Sequence, residues 1–147
     1  MRNVKLFNSD AVHSLLIDED ATIGMAWNGD LYKAWLENPK LSFIIPKDGF
    51  ELWIDSFVIL NNAPHKNNAY RFLNFLLRPD IAKECSLAVS YATANLAAYQ
   101  LLPPHVKNNP ILYPPQAVLK KAELQLDVGD PASELFEKYW ELLKMGG

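Results

Sequence analysis

Cysteine is nearly missing from this chain: Cys85 is the single thiol in 147 residues, so there is no internal disulfide framework, and the redox compartment stays open. Basic charge is also sparse. The 14 Lys and Arg are scattered among 17 Asp and Glu, which argues against a nucleic-acid partner, because phosphate binding needs a concentrated cationic surface. Long hydrophobic runs do not occur. Even Trp53 to Leu60 is broken by Asp55 and Ser56, well short of the roughly 18 apolar residues a membrane span needs. The opening Met1-Arg2-Asn3-Val4-Lys5-Leu6-Phe7 has no apolar stretch of about 7–15 residues and no small-residue cleavage site, so it does not read as a secretory signal. Either the chain is cytoplasmic or its front has been removed. His13, His65 and His105 lie far apart, with no partner at metal-ligand spacing, so no metal site is expected. There is no Gly-x-Ser-x-Gly, phosphate loop or Gly-x-Gly-x-x-Gly, which leaves an enzyme without a nucleophile, base or cofactor to start from.

What the chain does have is enough apolar sequence, 50% by count, for one globular unit. Helical spacing of Ala11, Val12, Leu15 and Leu16 predicts a helix from Asp10, its N-cap, to Asp18. Ile23-Gly24-Met25-Ala26-Trp27 reads as a buried strand, with Asn28-Gly29-Asp30 as its turn and a helix carrying Leu31, Ala34 and Trp35 after it. That helix stops before Pro39. Leu41 to Ile45 is a second predicted strand, Pro46-Lys47-Asp48-Gly49 a turn, and Phe50 to Leu60 a third, long strand. From His65 the period becomes helical, with Ala69, Tyr70, Phe72, Leu73, Leu76 and Leu77 on one face and a break at Arg78-Pro79. Pro79 opens another helix through Ile81, Ala82, Cys85 and Ala88, in which Cys85 is expected to be packed and inert. Leu96 to Leu102 and Ala117 to Leu124 read as shorter helices. The last, capped by Asp130 with Pro131 at its first position, should bury Leu135, Phe136, Tyr139, Trp140, Leu142 and Leu143. This mixture is an α/β layer architecture. Three strands are few for the helices that must pack on them, which suggests an incomplete unit.

Aromatic residues beside acids and amides at strand ends are the notable chemistry. Strand alternation places Glu51, Trp53 and Asp55 on one face. Trp27-Asn28-Gly29-Asp30 follows a predicted strand, where α/β sheets hold ligands. A semi-buried tryptophan beside an acid is also an ordinary structural feature. As a site, rings and carboxylates suit an organic cation, whose ammonium groups need carboxylates and gain about 0.5–2 kcal/mol over an indole face. Methylenes between ammonium groups pack well on flat rings, a description that fits a polyamine.

Ile23-Gly24-Met25-Ala26-Trp27-Asn28-Gly29, Ile45-Pro46-Lys47-Asp48-Gly49, Trp53-Ile54-Asp55-Ser56, Asn74-Phe75-Leu76-Leu77-Arg78-Pro79-Asp80 and Leu112-Tyr113-Pro114 occur in this order. In that order and spacing the chain resembles the C-terminal portion of the bacterial periplasmic spermidine/putrescine-binding proteins of polyamine ABC transporters. The resemblance implies part of a two-lobed periplasmic-binding-protein fold of type II, mainly the C-terminal lobe plus helices that return to the N-terminal lobe. Residues 1–53 and 100–147 would belong to the C-terminal lobe, and residues 54–99 to the returning segment. It further implies a non-enzymatic, periplasmic receptor without a cofactor, which closes on spermidine or putrescine and delivers it to an inner-membrane ABC permease. Carried over by position, Trp27 and Trp53 would be aromatic plates, Asp55 the carboxylate for an ammonium group, Tyr91 a further ring and Gln125 an amide partner. Tyr91 and Gln125 rest on the resemblance alone. Glu51 departs from the family's more apolar residue, and Tyr91-Ala92-Thr93-Ala94-Asn95 mixes features of spermidine and putrescine binders, so ligand preference is unassigned. An apolar helical face with Leu73, Leu76 and Leu77 and no lobe to cover it suggests a homodimer. A receptor for another small ligand, a small α/β hydrolase or transferase, and a protein-interaction module presenting Trp27 and Trp53 are the competing readings.

Overall fold

A computed structural model describes Val4 and residues 6–145. Its elements are α1 (Val12–Ile17), α2 (Asn28–Glu37), β1 (Phe50–Leu52), α3 (Lys66–Leu76), α4 (Pro79–Val89), α5 (Leu96–Leu101), α6 (Pro104–Lys107), α7 (Gln116–Leu119), β2 (Ala122–Leu124) and α8 (Asp130–Lys144). The two strands form a parallel pair with Phe50 opposite Ala122 and Leu52 opposite Leu124. Their entry is tight. Gly49 has φ 129°, and a Cβ there would stand 2.7 Å from the Lys121 carbonyl oxygen, so the approach of the two segments needs glycine.

Tyr32, Leu102, Val106, Ile111 and Leu112 form the buried core, joined by Leu31, Trp35, Phe43, Leu87, Tyr99 and Tyr113 at its edge. Tyr32 stacks on Trp35, with centroids 6.0 Å apart, and Tyr99 meets Tyr113 edge to face at 4.9 Å. Ala34 and Ala98, both fully buried, let α2 and α5 approach their neighbours closely. Asn95 caps α5 by accepting from the Ala98 N–H at 3.1 Å, and its amide donates to the Leu77 carbonyl at the end of α3 at 2.8 Å. One side chain thus satisfies orphan groups at two helix ends.

Several expected elements differ. Asp10 does not cap α1, which begins at Val12 after Ala11 without a side-chain cap. Ile23 to Trp27 is unpaired among the described residues, and its side chains are not buried: Ile23 is 90% and Met25 95% exposed. Leu41 to Ile45 keeps the alternation of a strand, with Leu41, Phe43 and Ile45 half-buried and Ser42 and Ile44 exposed, yet it too has no strand partner among the described residues. The long third strand is paired only over Phe50–Leu52. An apolar run becomes a strand only when a neighbour takes its N–H and C=O groups, and here β2 is the one neighbour the described residues supply. The helix expected over Ala117 to Leu124 is divided into α7 and β2, because Ala122–Leu124 pairs with β1. Asp130 lies inside α8, with Gly129 at the cap position. The apolar face of α8 is exposed where burial was expected: Leu135, Phe136, Tyr139, Trp140, Leu142 and Leu143 are all open to solvent, with Phe136 at 66%. Phe7 meets Trp140 edge to face at 5.1 Å. Cys85 is exposed, not packed, because it lies off the side of α4 that holds the buried Ser86.

Candidate functional site

Trp27 stands at the cap position of α2, in extended backbone with φ −65° and ψ 145°. An indole has no acceptor for the first helical N–H groups, and the helix is held instead by Asn28, whose amide donates to the Ile111 carbonyl in the core at 3.0 Å. The Trp27 ring therefore projects from a fixed helix start. Trp53 follows β1 directly, and the two indoles meet edge to face with centroids 6.1 Å apart and planes at 60°. The indole N–H of Trp53 donates to Oδ1 of Asp55 at 2.7 Å, which orients the ring and one carboxylate oxygen as a unit.

Gln125 follows β2 directly, as Trp53 follows β1. The register puts Leu52 opposite Leu124, and the Gln125 N–H continues the ladder by donating to the Leu52 carbonyl at 3.1 Å. Glu51 pairs with Glu123 across the same strands, both carboxylates in solvent.

Tyr91 arrives from the middle of the sequence to the start of α2. After α4 the chain turns through Ser90 in the left-handed region, φ 62°, and the Ser86 hydroxyl donates to the Tyr91 carbonyl at 2.5 Å. The Tyr91 ring lies on Gly29, where any Cβ would fall within the ring. Its hydroxyl donates to Oδ2 of Asp30 at 3.2 Å. Burial, followed by the negative charge of Asp30, pushes the phenol up to about 12, and the Asp55 charge acts in the same direction. The phenol is neutral and a donor at ordinary pH.

Trp27, Trp53 and Asp55 are thus linked by one ring contact and one side-chain hydrogen bond, Tyr91 is tied through Asp30 to the helix that Trp27 starts, and Gln125 is held beside the end of β1 by its backbone N–H alone. Trp27 is 43% and Trp53 51% exposed, so both ring surfaces are open to a solute. Two exposed indoles, a carboxylate and a neutral phenol suit a cation that carries methylenes. Asp30 belongs to the same wall and was not singled out from the sequence, although it stands in the Trp27-Asn28-Gly29-Asp30 group. Its role depends on Tyr91, 61 positions away.

A family model described as bacterial extracellular solute-binding protein matches residues 2–114. The Spermidine/putrescine-binding periplasmic protein of Salmonella typhimurium is 43% identical over 146 residues, which cover 99% of this chain and 42% of that protein. A Putrescine-binding periplasmic protein of Escherichia coli is 35% identical over 151 residues, covering 98% of this chain and 40% of its own length. Among solved structures, one described as a spermidine/putrescine ABC transporter from Listeria monocytogenes aligns with a TM-score of 0.81 at 31% identity, over 92% of this chain and 42% of that one. The chain spans about two fifths of the length of the curated relatives it matches. The α/β class and the likeness to part of a solute-binding protein agree with the expectation from sequence.

Proposed function

The chain belongs to the bacterial extracellular solute-binding proteins, and from that membership we propose that it forms the C-terminal portion of a periplasmic polyamine receptor. Capture is physical, without a catalytic step. Asp55 replaces water around an ammonium group, Trp27 and Trp53 cover the adjoining methylenes, Tyr91 adds a ring edge, and Gln125 offers an amide. The observation that carries this reading is the Trp27–Trp53 pair with the Trp53-to-Asp55 hydrogen bond, which builds aromatic surface and anionic charge into one wall. In the whole receptor, residues 1–53 and 100–147 would lie in one lobe and residues 54–99 would return to the other. Closure of the lobes on spermidine or putrescine would then present the loaded form to an ABC permease.

Titration with spermidine and putrescine at low salt, followed by calorimetry and tryptophan fluorescence, tests the reading. Saturable binding is expected, with a loss of at least about tenfold in Asp55→Asn, the usual scale for removing a charge-assisted hydrogen bond. The loss of half of a two-lobed cage weakens binding, so the same titration is made with the chain joined to the N-terminal portion of the Salmonella relative. Silence in both forms overturns the polyamine reading.

A further inference from the structure

Lys33 brings an ammonium group into the candidate site from within the chain. It lies one turn along α2 from Asp30, and its Nζ stands 3.4 Å from Asp30 Oδ1 while Tyr91 donates to Oδ2 of the same carboxylate. The same Nζ lies 5.7 Å from the centroid of the Tyr91 ring. A carboxylate and an aromatic face are the two partners an organic ammonium seeks, and here a lysine of the chain already holds both. Neither group is freely solvated: 40% of the Lys33 side chain and 30% of the Asp30 side chain are exposed. The arrangement is contiguous with the rest of the wall, because Gly29 beneath the Tyr91 ring follows Trp27 by two positions.

Building on the polyamine reading, we propose that Asp30 and the Tyr91 ring form a second ammonium position, and that Lys33 occupies it as an internal competitor of the ligand. Binding of a polyamine across this wall then requires the Lys33 ammonium to swing out. Lys33 lowers affinity and sets how many ligand charges the site accepts. The chemistry needs nothing beyond exchange of one ammonium for another on the same carboxylate, with charge conserved at the site.

The test is a double-mutant cycle on spermidine affinity, in whichever form of the chain binds in the titration above. Lys33→Gln is expected to tighten binding about fivefold at low salt, the upper range for one exposed ion pair, and the gain should shrink as salt screens it. In an Asp30→Asn background the same Lys33→Gln change should alter affinity less than about twofold, since the carboxylate the ligand would gain is gone. Lys33→Arg keeps the cation and should stay near wild type, and thermal melts check that each variant is folded. No tightening in Lys33→Gln, or equal tightening with and without the Asp30 carboxylate, overturns the assignment. A wild-type protein that takes up no spermidine overturns the polyamine reading itself, an outcome separate from either of those.

Discussion

Tyr91 joins packing to charge more closely than any other side chain of the candidate site. It rests on Gly29, donates to Asp30 and feels Asp55. With the phenol pushed up to about 12 from an ordinary value of 10.0, folded and unfolded chains are both protonated below that ordinary value. Between the two values the unfolded phenol ionises first, so the folded state loses stability as pH rises through this window. An absorbance titration of the phenolates should show a late component that is missing in Tyr91→Phe and moved to lower pH in Asp30→Asn. A late component that survives in Tyr91→Phe would mean that Tyr91 is not the raised phenol, and one unmoved in Asp30→Asn that Asp30 does not hold it. Trp27, Trp53 and Asp55 were legible as candidates from residue type and alternation. Tyr91 and Gln125 were not, because a tyrosine after a helix and a glutamine in a polar stretch have no local pattern that separates them from surface residues.

At the scale of elements, the helices followed the sequence better than the strands did. The helix carries its hydrogen bonds within itself, so Pro79 at the start of α4 and the 3.6-residue period of α3 suffice to specify them. Ile23 to Trp27 and Leu41 to Ile45 have strand-like composition and remain unpaired among the described residues. Ala122–Leu124 shows the converse, since an apolar segment continuous with a helical period becomes β2 when Phe50–Leu52 lies beside it. Asn95 is the joint between α3 and α5 through its two hydrogen bonds. Asn95→Ala should destabilise the fold by about 1 kcal/mol, the usual effect of losing an N-cap, read as a lower urea midpoint. Asn95→Asp keeps the acceptor for Ala98 but not the donor to Leu77, and should fall between the two. Equal midpoints for all three would remove the capping role.

For the molecule as a whole, the main observation is how much apolar surface stays in water. Phe72 and Phe75 on α3, Leu77 just after it, and Leu135, Phe136 and Tyr139 on α8 are all exposed, Leu77 at 63%, whereas Leu73 and Leu76 of the expected face are half-buried. Exposed apolar faces of this kind normally meet a partner. The proposed homodimer predicts a concentration-dependent rise in mass by sedimentation, reversed by Phe72→Glu together with Leu77→Glu, while helix content by circular dichroism is kept. A strictly monomeric chain across the concentration series would contradict it.

The sequence by itself determined α1 to α5 and α8, the α/β class and the chemical character of the candidate site, because periodicity, proline placement and side-chain type are local properties. Tertiary structure alone decided which apolar segments became strands and that the Gln125 N–H meets the Leu52 carbonyl. It also decided that Asp30, Lys33 and Tyr91 share one carboxylate. Strand pairing and through-space charge depend on partners far apart in the chain, and no local pattern records which of them will meet.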